Sequence, residues 1–246
     1  MSQRMDRALL RVSGGDAAKF LRGLLTRDVP ERGLGYAALL SPQGKYLADF
    51  LTFREDGAFW LDAPAALGVG LVQRLGLYRL RADVAVERTD RTVRRGTGAP
   101  PAGAMADPRP GMGWRLLDAE GDDGTDWDAL RVEHIVPEAG RELVPGESYV
   151  LEMGFERLGG VDFRKGCYVG QEVTARMKHK TALRKGLARV RVEGDTVEGM
   201  EIDAHGRAVG VLHTRAGDRA LAHLRFDRAE GELRAGTARV ALDATA

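Results

Sequence analysis

Arg164-Lys165-Gly166-Cys167-Tyr168-Val169-Gly170-Gln171-Glu172 is the stretch on which the reading of this chain turns, and it runs on through Val173-Thr174-Ala175-Arg176-Met177-Lys178-His179-Lys180. It holds the one cysteine of 246 residues, set between two glycines that permit a tight turn or a close backbone approach. Lys165 stands two positions before the thiol, and a nearby cation favours the thiolate. Cys167 is therefore a candidate nucleophile, a transient sulfur or metal ligand, or a redox switch, with Lys165, Arg164 and Arg176 as groups that could lower its pKa. The competing reading of a lone cysteine is a buried, inert, small hydrophobe.

Working outward, the charge is lopsided. From Arg164 to Arg191 nine Lys/Arg face the single acid Glu172, a local net charge of +8 that leaves −7 for the rest of a +1 chain. Such a field attracts anions: a carboxylate-bearing small molecule, a phosphate or a nucleic acid. A solvated basic face explains each residue taken singly. The segment lacks interleaved aromatics for base stacking, so direct nucleic-acid binding is not expected.

Upstream, Ala17, Phe20, Leu21, Leu24 and Leu25 recur at helical spacing after Ser13-Gly14-Gly15-Asp16, which has capping-box spacing; a helix over 14–26 follows. Tyr36 to Leu40 and Tyr46 to Phe53 flank Ser41-Pro42-Gln43-Gly44-Lys45 and read as a β-hairpin. Ala58 to Asp62 reads as a third strand. Pro64 then opens a helix carrying Leu67, Leu71, Leu75 and Tyr78, and Ala82 to Glu87 is a further strand. The order predicts an α+β layer: antiparallel sheet with flanking helices. Residues 91–128 read as a loop-rich linker, with Trp114–Leu117 and Leu130–Glu133 as strands. Beyond Lys185, four short alternating runs separated by turn residues predict a small C-terminal β-barrel, with the domains divided as 1–182 and 183–246.

One cysteine excludes an internal disulfide and any multi-cysteine metal site made by this chain alone, so no resident metal is expected and a reducing, cytoplasmic setting is. The apolar run Ala8–Val12 is broken too early for a signal peptide, and no window approaches the roughly 18 apolar residues of a membrane span. A monomer is expected. Among the acids, Asp49 and Glu152 stand in mostly apolar surroundings, where a carboxylate can handle a proton or accept paired hydrogen bonds. His134, His179, His205, His213 and His223 could pair with the thiol, although spacing places none of them beside it. Rossmann and P-loop glycine spacings are absent, which argues against a nucleotide-driven enzyme.

Leu151-Glu152, Leu158, Gly160-Val161-Asp162-Phe163, Lys165 to Glu172 and Arg176 together resemble the signature of the YgfZ-type folate-binding proteins. These are bacterial relatives of a mitochondrial iron–sulfur assembly factor, and they resemble in turn the T-protein (aminomethyltransferase) of the glycine cleavage system. Val136-Pro137-Glu138 and the stretch from Gly15 to Asp49 fit as well. The resemblance implies a T-protein-like folate-binding domain plus a barrel. It also implies tetrahydrofolate as cofactor and a role in assembly or repair of iron–sulfur clusters, including those of tRNA-modifying enzymes. By position it implies folate contacts at Glu152, Asp49, Arg131, Arg176, Tyr168 and Gln171, and functional roles for Cys167, Lys165 and Asp49. The expected geometry is a thiol at the rim of a pterin-shaped hollow with an acid at its floor. The alternative it leaves open is a folate-dependent aminomethyl or methyl transferase with Asp49 as proton acceptor. Val150 and Ile135 depart from the family's usual Pro and Gly.

Overall fold

The computed structural model of the chain describes residues 7–179 and 183–246. Strands β1 (Arg7–Ser13), β2 (Gly35–Leu40), β3 (Tyr46–Glu55), β4 (Ala58–Pro64) and β5 (Ala85–Arg88) form an antiparallel sheet in the order β2-β3-β4-β1-β5. The hairpin is where its turn residues put it, and its register sets Ala38 opposite Asp49. Helices α1 (Ala17–Leu24) and α2 (Ala65–Arg79) follow β1 and β4. In each the apolar stripe faces inward: Ala17, Leu21 and Leu24 in α1, Leu71 and Leu75 in α2 are buried.

The expected capping box does not form. Ser13 ends β1, while Asp16 accepts a hydrogen bond from the Asp83 backbone N–H and Asp83 accepts one from Gly15, each at 2.9 Å. Asp16, not Ser13, stands at the start of the helix, and at Gly14 a Cβ would lie 2.2 Å from the Asp83 carbonyl oxygen, so the turn requires glycine there. The turn is tied to the loop before β5 instead of to its own helix.

Two further expectations are corrected between residues 91 and 134. The supposed linker holds β6 (Val93–Gly96), β7 (Met105–Ala106) and β8 (Trp114–Leu117), a small sheet in the order β6-β8-β7. Strands of two to four residues are too short to show alternation. The supposed strand Leu130–Glu133 lies in helix α3 (Trp127–His134). Its start is fixed by the Asp126 side chain, which accepts from the Ala129 N–H at 2.9 Å, an N-cap hidden in a run of acids.

Helix α4 (Gln171–Lys178) follows the cysteine motif, and the expected boundary at 182/183 meets residues 180–182, which lie outside the described residues together with Lys180 of the basic run. Then β9 (Lys185–Glu193), β10 (Glu201–Ala204), β11 (Arg207–Ala216), β12 (Arg219–Arg225), β13 (Leu233–Ala235) and β14 (Ala238–Thr245) close a barrel in the order β10-β11-β12-β9-β14-β13. The barrel has its own apolar interior. Leu187 and Leu221 point the other way, into the core that contains Tyr36, Phe155 and Val136, so apolar packing is continuous across the seam between the domains.

Candidate functional site

The segment from Gly159 to Gly170 has no regular secondary structure, so its shape depends on bonds to earlier chain. Thr26 donates its hydroxyl to the Gly160 carbonyl at 2.6 Å and accepts from the Ala38 N–H, while Asp162 and Val169 donate backbone N–H groups to Thr26 and Gly23. Lys165 supplies the anchor. Its side chain is 1% exposed, and its ammonium donates to the carbonyls of Arg22 and Leu25, with Asp28 at 3.5 Å. These carbonyls belong to the last turn of α1, where a helix leaves acceptors unsatisfied. Burial holds the Lys165 amine below its ordinary range, against the pull of Asp28.

At the loop's end Gly170 takes φ +83°, and a Cβ there would lie 2.6 Å from the Ser41 carbonyl of the β2–β3 turn. Between these anchors Gly166 and Cys167 are exposed. The inert-cysteine reading is thereby set aside. The expected Lys165–thiol partnership is corrected: the hydrogen bonds of the ammonium are taken up by α1, and among the described residues none reaches Cys167. Lys165 acts on the thiol by fixing the loop that presents it.

Asp49 is buried at the centre of β3. Its two carboxylate oxygens accept from Tyr46 at 2.7 Å and Tyr36 at 3.0 Å. Burial, then the Asp49 charge, push both phenols up, so they remain donors. The Tyr36 ring stacks on Phe155 and lies under the Arg109 guanidinium. Arg109 heads a buried ionic chain: Asp107 binds Arg109 and Arg115, Asp62 binds Arg115 and Arg7.

Glu152 lies elsewhere, at the floor of a pocket of about 900 Å³ between the first domain and the barrel. Its backbone carbonyl accepts from Leu187 at 2.7 Å, which fastens β9 to this turn. Its carboxylate stands 3.5 Å from Lys185 Nζ and 3.6 Å from His223 Nε2, and makes no hydrogen bond among the described residues. Met177, Arg184, Gly210, Val211 and Arg225 also line the pocket; Asp49 and Cys167 do not. The structure thus separates three features that the sequence reading put around one hollow.

The architecture matches a solved structure, the glycine cleavage system aminomethyltransferase T from Bartonella henselae, with TM-score 0.76 over 99% of this chain and 84% of that one. At 14% identity the likeness is one of fold. Residues 184–245 match the family model of the CAF17 C-terminal beta-barrel domain. The human mitochondrial iron–sulfur cluster assembly factor IBA57 is 35% identical over 94% of this chain and 79% of its own length. The mouse protein is 32% identical over the same shares. The chain belongs to the IBA57 family of iron–sulfur cluster assembly factors.

Two expectations change with that membership. The YgfZ proteins are a related family, and IBA57 is the one to which the chain belongs. The cytoplasmic setting is overturned, because the IBA57 relatives from human, mouse and Mycosarcoma maydis are mitochondrial. A single cysteine separates reducing from oxidising environments and carries no finer address. No described helix is long and apolar enough to cross a membrane.

The remaining candidates fall away from the pocket. Arg131 is buried in α3, where its guanidinium binds Glu142, Asp128, Thr214 of β11 and the Val136 carbonyl; it ties α3 to the barrel. Arg176 is exposed on α4 and pairs with Glu172 one turn earlier. Gln171 is the first residue of that helix. Tyr168 is buried, its hydroxyl without a partner among the described residues, and burial pushes it up to about 12. Much of the basic segment is neutralised from a distance: Lys178 by Glu156, Lys185 by Glu152, Arg189 by Glu133 and Asp243. Glu142, Glu198 and His213 cluster with metal-like spacing, but Glu142 is already saturated by Arg131, Thr214 and the Glu138 N–H. Sequence reasoning named His223 only as a partner for the thiol; the two-residue alternation of β12, which sends His223 and Arg225 to one face, was the available signal for the pocket.

Proposed function

We propose that this chain supports iron–sulfur cluster assembly by lending Cys167 to a cluster shared with a partner protein, with tetrahydrofolate bound in the pocket floored by Glu152. The observation that carries the first half is the presentation of the thiol, exposed on a loop pinned at Lys165 and Gly170. A cluster needs several thiolate ligands, and this chain has one cysteine, so the others come from assembly or client proteins. Tetrahydrofolate is supported by the Glu152 carboxylate, nearly enclosed and without a hydrogen bond among the described residues, in a pocket of a size that suits a small molecule. Clients among tRNA-modifying enzymes are part of the same proposal.

The transferase alternative is weaker, because a proton-accepting Asp49 must face substrate, whereas Asp49 is buried, held by two tyrosine hydroxyls, and is not part of the pocket that Glu152 lines. The test replaces Cys167→Ser in cells and measures a cluster-dependent tRNA methylthiolase. Loss of its activity at unchanged chain abundance is expected; full activity overturns the proposal. Calorimetric binding of tetrahydrofolate to the purified chain, weakened by Glu152→Gln, tests the second half.

A further inference from the structure

Beside Glu152, on the barrel side of the pocket, two polar atoms of β12 are buried without a hydrogen-bond partner among the described residues: His223 Nε2 and Arg225 Nε. A buried polar group left unpaired costs stability, so it points to a partner that is not part of the chain. His223 Nε2 stands 3.6 Å from the Glu152 carboxylate, too far for a hydrogen bond and close enough for both to meet one planar ligand. The Glu152 carboxylate offers acceptors, and His223 Nε2 beside it offers a donor when it carries the ring proton.

We infer that His223 is the barrel's contribution to ligand recognition, donating to an oxo group while Glu152 takes the neighbouring ring N–H and amino group. This rests on the reading of the pocket as the folate site and adds the residue that selects the heterocycle. The complementary edge carries amino, ring N–H and oxo groups in a row, the 2-amino-4-oxopyrimidine edge shared by pterins and guanine. Met177 and Val211 line the same pocket and offer apolar contact for a ring. The ligand then touches both domains, because Glu152 belongs to one and His223 to the other.

Titration calorimetry on the full chain tests this with folic acid, its 4-amino analogue aminopterin, tetrahydrofolate and guanosine monophosphate. The wild type is expected to prefer folic acid over aminopterin by about tenfold or more, the cost of facing a donor with a donor. His223→Ala should weaken folic acid and bring that ratio towards one, while His223→Gln, which keeps an N–H donor, should restore part of it. Melting curves check that the variants fold. A wild-type ratio near one, or a ratio unchanged in a folded His223→Ala, overturns the role of His223 and leaves tetrahydrofolate binding to stand on Glu152→Gln. Guanosine monophosphate bound in place of the folates, with the same dependence on His223, keeps the edge assignment and removes folate. Binding of no probe overturns both.

Discussion

Lys165 shows how the environment changes what a residue means. In the sequence it is a cation two positions from a thiol; in the fold it closes the end of α1 from inside the protein. Lys165→Met is therefore expected to lower stability by about 1–3 kcal/mol in urea denaturation, the cost of leaving buried carbonyls unpaired. Cys167→Ser, at an exposed tip, should change stability by less than about 0.5 kcal/mol. Comparable losses in both would show that the loop is not held as described. Cys167, Asp49 and Glu152 were legible as special because each is an unusual residue type for its surroundings. Their separation was not, since spacing along a chain says nothing about which side of a turn a carboxylate faces.

At the scale of elements, the hairpin, both N-terminal helices and four barrel strands were readable from periodicity. Helix α3 was not: Leu130, Val132 and the intervening Arg131 mimic a strand, and the decisive signal was the Asp126 cap. Arg131 and Glu142 form a pair buried on both sides. Arg131→Ala should cost about 3–5 kcal/mol by stranding that carboxylate, and replacing both residues by Met should cost less than the two single changes together. Strictly additive losses would contradict the pairing. Leu80 ends α2 with φ +48° and is fully solvent-facing, so it bears backbone strain without packing in return. Leu80→Gly should raise stability by about 1 kcal/mol, read as a higher melting temperature.

For the whole molecule, the seam combines apolar contact with ion pairs: Arg131 and Glu142 reach Thr214, and Arg189 and Arg219 reach Glu133. The two domains should melt in one calorimetric transition; two resolved transitions would show a weak seam. Burial pushes the Glu142 carboxyl up, but Arg131 and its hydrogen bonds outweigh this and hold it below the ordinary carboxylate range. A carboxyl with a lowered folded pKa contributes stability that is complete above the unfolded value of about 4 and disappears as pH falls through the folded value. Glu142→Gln should therefore flatten the loss of stability between about pH 5 and pH 3, and an unchanged slope would exclude Glu142 as its source.

The β2–β3 turn lies under the C-terminal end of the cysteine motif, where Ser41 crowds Gly170 and Gly44 fits only because it lacks a Cβ that would lie 2.8 Å from Val173, while Lys165 fixes the other end to α1. The thiol is consequently mounted between a helix end and a hairpin turn, not on a tether. A fluorophore or spin label attached at Cys167 would sit at one defined place, with the dye's own linker as the main source of positional spread. That makes the natural sequence, with its single cysteine, a ready attachment point for measuring distances from this loop to an acceptor placed on the barrel.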